Sequence, residues 1–285
     1  MEQKRLVIIL ADISGYTEFM LENRTSAVHG QACINSLIES ILTEVDIPLT
    51  LQEIEGDAVF LYATDPGHDG DWQRTMEEVS RKIAKFFDAF IAGIGITSES
   101  TPCACAICRN AEKLGMKVII HVGEAMFHEV AGRRQISGPD VILAHKLLKN
   151  SLDSKEYLLL TEAAYTAMGA HLPGTFESRH ERYDGFETVP LRVRFLEKDF
   201  IDARDAVYKL TDSERQIAVD GYIKWARPTV LKASIDQFLR PTGAHSWWQR
   251  ILMVIDALIT IPMFHFYWRR EIPKQQGARG KRRER

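Results

Sequence analysis

Cysteine is scarce in this chain, with four among 285 residues. That excludes the disulfide-framework class of small secreted domains. A decisive charge is also lacking, since 36 basic residues stand against 39 acidic ones for a formal net charge of -3. Nothing in that balance calls for nucleic acid, and no nucleic-acid partner is expected. A secretory leader is not evident either. Met1 to Arg5 is charged, and the apolar run Leu6 to Leu10 is too short for a signal core. The expectation is a cytoplasmic body. At 45% hydrophobic residues the chain can bury a sizeable core, and its length suits one domain with a large extension.

What is present is unevenly placed. Three of the cysteines, Cys103, Cys105 and Cys108, crowd into one irregular stretch with Pro102. Three thiolates so spaced can hold Zn²⁺ with a fourth ligand from Cys33 or a histidine, although the spacing matches no standard zinc module. The competing reading is a reduced loop or an occasional Cys103–Cys108 disulfide. Basic residues gather at the end, eight from Arg269 onward against Glu271 and Glu284. Before them, Trp247 to Trp268 is apolar and of about the 20-residue length that spans a bilayer. Asp256 and Pro262 interrupt it, and a single span would part the basic tail from the body. Two readings remain: a segment lying on an anionic membrane surface at the inner face, or a helix for docking or dimerisation. Three parts are expected: a folded domain over 1–197, a helical extension over 198–241 and the apolar, basic-tailed segment 242–285.

Within the first part, strand and helix signals alternate. Leu6 to Leu10 reads as a strand buried on both faces. Ser26 to Val45 has apolar residues at helical spacing. Leu49 to Ala63 reads as two strands around Gly56-Asp57. Trp72, Met76, Val79, Ile83, Phe86, Phe87, Phe90 and Ile91 make one helical stripe of core residues. Lys117 to Val122 reads as a strand ending in a turn at Gly123. Val141 to Leu148 is helical, Tyr157 to Leu160 a strand, Glu162 to Met168 a short helix and Leu191 to Phe195 a last strand. The expected fold class is an α/β (α+β) sandwich.

Two motifs carry chemistry. In Ala11-Asp12-Ile13-Ser14-Gly15-Tyr16-Thr17 a carboxylate stands where a buried strand runs out, before a small turn that opens a helix. Backbone N–H groups at such a turn cradle phosphate, and the carboxylate suits Mg²⁺ or Mn²⁺. In Glu53-Ile54-Glu55-Gly56-Asp57 the glycine makes the tight turn from which Asp57 projects. Two aspartates from neighbouring strand ends are what metal-assisted phosphoryl chemistry uses. Each alone is as well read as a helix cap or a turn residue. His121 suits a satisfied core histidine, and Glu124 either a metal-facing carboxylate or a surface turn. His145 and Lys149 suit a solvated helix face.

Taken in order, these segments resemble the catalytic domain of class III adenylyl and guanylyl cyclases. Ile8 to Thr17 is similar to their first metal strand and Glu53 to Leu61 to their metal hairpin. Lys117 to Gly123, Gln135 to Lys149 and Tyr183 to Leu196 resemble three further segments. The likeness extends to a bacterial cyclase-like family of unknown function in Cys103 to Cys108, His121 to Glu124 and Asp140 to His145. The resemblance implies a ferredoxin-like sandwich and a site shared between two protomers of a homodimer that binds a nucleoside triphosphate. It implies metal ligation by Asp12 and Asp57 with the Ile13 carbonyl, and phosphate binding at Ile13, Ser14, Gly15 and Tyr16. The residues that read the base fall at Glu53 and Gln135, and Glu53 favours guanine. The ribose-positioning Asn falls at Ile142, the transition-state Arg at Lys146 and the terminal-phosphate Lys at Phe186. The metal half is therefore kept while the partner-supplied half departs. Either cyclic nucleotide formation with Lys146 in the catalytic place, or a degenerate sensor or dimerisation module at the membrane surface, fits that pattern. Lys146 keeps a positive charge but lacks the planar fork of arginine.

Overall fold

In the computed structural model, residues 1–22, 27–68, 70–99 and 110–207 are described. The elements run β1 (Glu2–Ser14), α1 (Tyr16–Glu22), α2 (Ala27–Leu42), β2 (Thr50–Glu55), β3 (Ala58–Thr64), α3 (Asp71–Glu99), β4 (Gly115–Val130), β5 (Arg133–Ser137), α4 (Pro139–Leu147), β6 (Tyr157–Thr161), α5 (Glu162–Met168), β7 (Glu177–Glu181), β8 (Val189–Phe195) and α6 (Glu197–Val207). The cysteine cluster, the Zn²⁺ expectation built on it and the whole segment 242–285 lie outside the described residues. Among the described residues no helix is long and apolar enough to cross a membrane.

The strands form one sheet in the order β2-β3-β1-β4-β6-β8-β7, with β5 paired to β4. Its first four strands make the split β-α-β-β-α-β arrangement, antiparallel at β2–β3, β3–β1 and β1–β4. That is the expected ferredoxin-like α+β sandwich. The single parallel pair, β4 with β6, is crossed by α4, as a parallel connection requires.

Strand alternation divides the side chains between two faces. On one face Leu6, Ile8, Leu10, Phe60, Tyr62, Ile119, Leu159 and Val193 form a buried cluster with Val141, Leu143, Ala144 and Leu147 of α4. On the other, Val7, Ile9, Ala11, Ile13, Leu61 and Ile120 are just as buried. This explains why β1 reads as a continuous apolar run rather than an alternating one. The stripe on α3 is buried from Met76 to Ile91, with Trp72 only partly covered, and Phe86 and Phe90 are 0% exposed. Phe200 of α6 packs its ring against Phe87 and Phe90 at about 6 Å between centroids.

Contacts divide the chain into two units. Met1–Glu18, Ser36–Gly93 and Lys113–Val207 form the unit that holds the sheet. The described residues of 19–35 and 94–112 belong to the other and are mostly helical.

One expectation fails at Gly123. The strand does not turn there but runs on to Val130, and the reversal comes at Ala131-Gly132, with φ of 52° and 76°. Gly123 serves close packing instead, because a β-carbon on it would run into the Asp140 carboxylate. Strand β7 has exposed polar residues along most of its length, so no apolar alternation announced it.

Candidate functional site

The site is built at one end of β1. Asp12 pairs in register with Ala58 on β3 and with Lys117 on β4, and Lys117 pairs with Tyr157 on β6. These four residues form a row across the sheet, on the face that α4 covers. The β2–β3 turn brings up the second carboxylate. Gly56 takes a φ of 66°, which a glycine adopts without strain, and the Ile13 N–H donates to the Asp57 carbonyl at 3.3 Å. The turn thus sets Asp57 near enough to Asp12 for their charges to interact.

Their electrostatics follow from that proximity. Burial, then repulsion from the Asp12 carboxylate, pushes the Asp57 carboxyl up to about 6. Asp12 is better compensated, since Lys117 Nζ lies 3.0 Å from its Oδ2. The same ammonium donates to the Leu148 carbonyl at 3.3 Å. Behind it, Asn150 Nδ2 donates to the Tyr157 hydroxyl and to the Leu147 carbonyl, both at 2.7 Å. Lys117 joins this corner although the sequence marks it only as the start of a strand. Its signal was a single cation opening an otherwise apolar run, and only the register shows which acid it meets.

The turn after Asp12 has an unusual polar atom. Ser14 is on the Asp12 face by alternation, and its Oγ is buried with no hydrogen-bond partner. Gly15 has a φ of 87°, and Tyr16 begins α1. Glu53 reaches the same face through a β-bulge. The register of β2 shifts between Leu51 and Glu53, so Glu53 rather than Gln52 stands opposite Phe60. Burial and a hydrogen bond with Glu55 raise the Glu53 carboxyl, while nearby His145 lowers it. The His145 ring meets Phe60 edge-on, with centroids 5.1 Å apart. His145, expected on a solvated face, therefore faces this corner.

The other expected residues do not gather here. Gln135 pairs with His128, far along β4 from Lys117. Glu124 pairs with Arg5 and accepts from Gln3 at 2.5 Å, well away from Asp12 and Asp57. Lys146 lies in the last turn of α4, Ile142 is 54% exposed on that helix, and Phe186 packs against the apolar cluster. His121 is a satisfied core histidine. Its Nε2 lies 3.1 Å from Asp140 Oδ1 and its Nδ1 3.0 Å from Thr161 Oγ1. Asp140 also accepts from the Glu124 N–H at 2.7 Å. The hydrogen bond with His121 holds the Asp140 carboxyl below the usual range.

Among the described residues no group of three or more His, Cys, Asp or Glu side chains converges on one point. Two carboxylates and a backbone carbonyl nevertheless suit Mg²⁺ or Mn²⁺, which bind through one or two carboxylates and complete their shell with water or substrate phosphate. Burial and the neighbouring Asp12 raise the Asp57 carboxyl, and a divalent cation would favour its charged form.

Residues 34–157 match the model of a family described as "Protein of unknown function (DUF2652)". That stretch contains Asp57 and Lys117 but not Asp12. An uncharacterized protein of Mycobacterium tuberculosis is 30% identical over 126 residues, which is 44% of this chain and 56% of that protein. The chain thus spans a little over half the length of that relative. A bacterial light-regulated adenylyl cyclase has a TM-score of 0.49 at 12% identity, covering 73% of this chain and 100% of that one. The adenylyl cyclase CyaB from P. aeruginosa has a TM-score of 0.47 at 16% identity, covering 68% and 95%. A class III adenylyl cyclase-like ATP-binding protein from Pseudomonas aeruginosa has a TM-score of 0.44 at 19% identity, covering 58% and 35%. Solved structures similar to this chain thus include adenylyl and guanylyl cyclases and a cyclase-like ATP-binding protein.

Proposed function

We propose that this chain is a metal-dependent nucleotide-binding domain of the class III nucleotidyl cyclase type. The observation that carries this reading is the Asp12–Asp57 pair, set at a strand end beside a Ser-Gly turn, with the Asp57 carboxyl raised by burial and then by Asp12. Asp12 and Asp57 would hold Mg²⁺ or Mn²⁺, which in such sites neutralises phosphate and activates a hydroxyl. Lys117 supplies the fixed positive charge of the same pocket. It balances Asp12 when no cation is bound and is released toward phosphate when one is. Glu53 offers an acceptor to the N–H groups of a purine pairing edge, which suits guanine better than adenine.

The catalytic part of this reading is cyclic nucleotide formation at a site shared between two copies. The runner-up is a nucleotide sensor that keeps the fold and lacks turnover. Ile142 favours it, since an exposed apolar side chain stands where the resemblance calls for a ribose-binding amide, and Phe186, an apolar ring partly buried against the core cluster, offers phosphate no charge. We further propose homodimerisation, and attachment of 242–285 to an anionic membrane surface, each lysine or arginine adding about 1 kcal/mol. Light scattering tests the first, and vesicle co-sedimentation of the full chain tests the second.

The test of binding is calorimetry with Mn²⁺ and each of the four ribonucleoside triphosphates, followed by analysis for cyclic product. Metal-dependent binding that Asp12→Asn and Asp57→Asn both abolish is expected. Binding with no metal requirement would overturn the reading, and binding without product would select the sensor.

A further inference from the structure

The loop before β6 crosses the strand pair that ends in the candidate phosphate turn. Ser14 on β1 is in register with Gly115 on β4. Gly115 has no room for a side chain because the Lys155 backbone lies over it. A β-carbon there would stand 2.7 Å from the Lys155 carbonyl oxygen and 3.1 Å from Lys155 Cβ. From that crossing the lysine reaches back toward α1. Its ammonium is 3.6 Å from the point where a Gly15 β-carbon would be. It is paired with Glu18 Oε2 at 3.5 Å, both side chains being more than half exposed.

Three features meet at this spot. There is a cation on a tether fixed by close backbone packing. There is a glycine whose missing side chain leaves the ammonium near the turn. There is also Ser14 Oγ, buried on the Asp12 face with its hydrogen-bonding capacity unused. A buried hydroxyl without a partner costs free energy in the empty protein, and an anion oxygen would satisfy it. Salt-bridge strength cannot explain the lysine's placement, because an exposed pair such as Lys155–Glu18 contributes little.

We propose that Lys155 is the terminal-phosphate cation of this chain, supplied by the same protomer that carries Asp12 and Asp57, with Glu18 as its partner when no phosphate is bound. The inference rests on the nucleotide-binding reading above and assigns the ligand class at its far end, the β- and γ-phosphates of a nucleoside triphosphate. It also accounts for Phe186. With the cation delivered from the β6 approach, the position that the resemblance gives to a lysine is free to pack an apolar ring against the core cluster. Triphosphate displaces Glu18 from the ammonium, the Ser14 hydroxyl donates to a phosphate oxygen, and no covalent step is involved.

The experiment measures affinity for GTP, GMP and inorganic tripolyphosphate, each with Mn²⁺, in the full chain and its variants. Lys155→Ala is expected to weaken GTP and tripolyphosphate about tenfold, the loss of one charge-assisted hydrogen bond, and to leave GMP nearly unchanged. Lys155→Arg should restore most of the loss. Glu18→Gln should tighten GTP and tripolyphosphate, because the ammonium no longer has a competing carboxylate. A merely structural pair would instead respond in the same direction to loss of either partner. Wild-type binding of GTP that Lys155→Ala leaves unchanged, or weaker GTP binding in Glu18→Gln, overturns this proposal alone. Failure of the wild type to bind any of the three overturns the nucleotide reading and this proposal with it. Thermal melts of each variant confirm folding, and Lys155→Gln serves if the alanine variant fails to fold.

Discussion

Lys117 Nζ lies 3.0 Å from Asp12 Oδ2, and both side chains are mostly buried at 21% and 17% exposure. The pair leaves Asp57 as the less compensated acid of the site, and the first two expectations follow from that asymmetry.

Replacing Lys117 by methionine keeps the stem and removes the charge. Asp12 is then a mostly buried carboxylate without a counter-ion, and the empty fold should lose about 2 kcal/mol. The same change leaves two repelling carboxylates, so Mn²⁺ should stabilise the variant more than the wild type. Thermal melts with and without Mn²⁺ measure both. A variant with unchanged stability and an unchanged Mn²⁺ effect would remove Lys117 from the site.

Asp57 sets a pH dependence. Its carboxyl is raised from 3.8 to about 6 by burial and by Asp12. A carboxyl raised in the folded state binds its proton more tightly there than in the unfolded chain. Its contribution is therefore fully present below about pH 4 and is lost as pH rises through about 6. For a half-exposed group, solvent screening reduces this to about 1 kcal/mol. In Asp57→Asn that component of the stability–pH curve should vanish. Mn²⁺ competes with the proton, so its apparent affinity should rise between about pH 5 and about pH 7 in the wild type.

Gly123 and Asp140 are coupled by contact, because a β-carbon at 123 would overlap the Asp140 carboxylate. Gly123→Ala should destabilise by more than about 2 kcal/mol, by displacing the acceptor of His121 and of the Glu124 N–H. Asp140→Ala removes the obstacle, so the double variant should lose much less than the sum of the two single changes. Additive losses by denaturant titration would show that the overlap relaxes without cost.

Thr161 serves two structures with one oxygen, accepting from the Ala164 N–H at the start of α5 and meeting His121 Nδ1. Thr161→Val keeps the shape, removes both contacts and should cost about 1 to 3 kcal/mol in chemical denaturation. Thr161→Ser should recover most of that.

Much of this was legible in the sequence because it is local. The apolar run at Leu6–Leu10 with Asp12 at its end, the Gly56 turn beneath Asp57 and the helical stripe from Trp72 to Ile91 depend on spacings within a few residues. Spacing alone was enough to place them on strand, turn and helix. Hairpin β4–β5 and strand β7 were not legible. Gly123 looks like a turn glycine until Asp140 is seen against it, and an edge strand such as Glu177–Glu181 has no buried face to impose alternation.

Two carboxylates at strand ends beside glycine turns can be read from the local chain, since backbone geometry and side-chain period act over a few residues. Which charges answer them depends on how the strands assemble. Lys117 is 105 positions from Asp12 and Lys155 is 137 positions from Glu18 by their numbers, and nothing local predicts such pairs. Sheet register sets the first, placing Lys117 beside Asp12 on one face. A loop lying over Gly115 sets the second. An ion pair depends on distance in space, and that distance is fixed only when the strands have found their order.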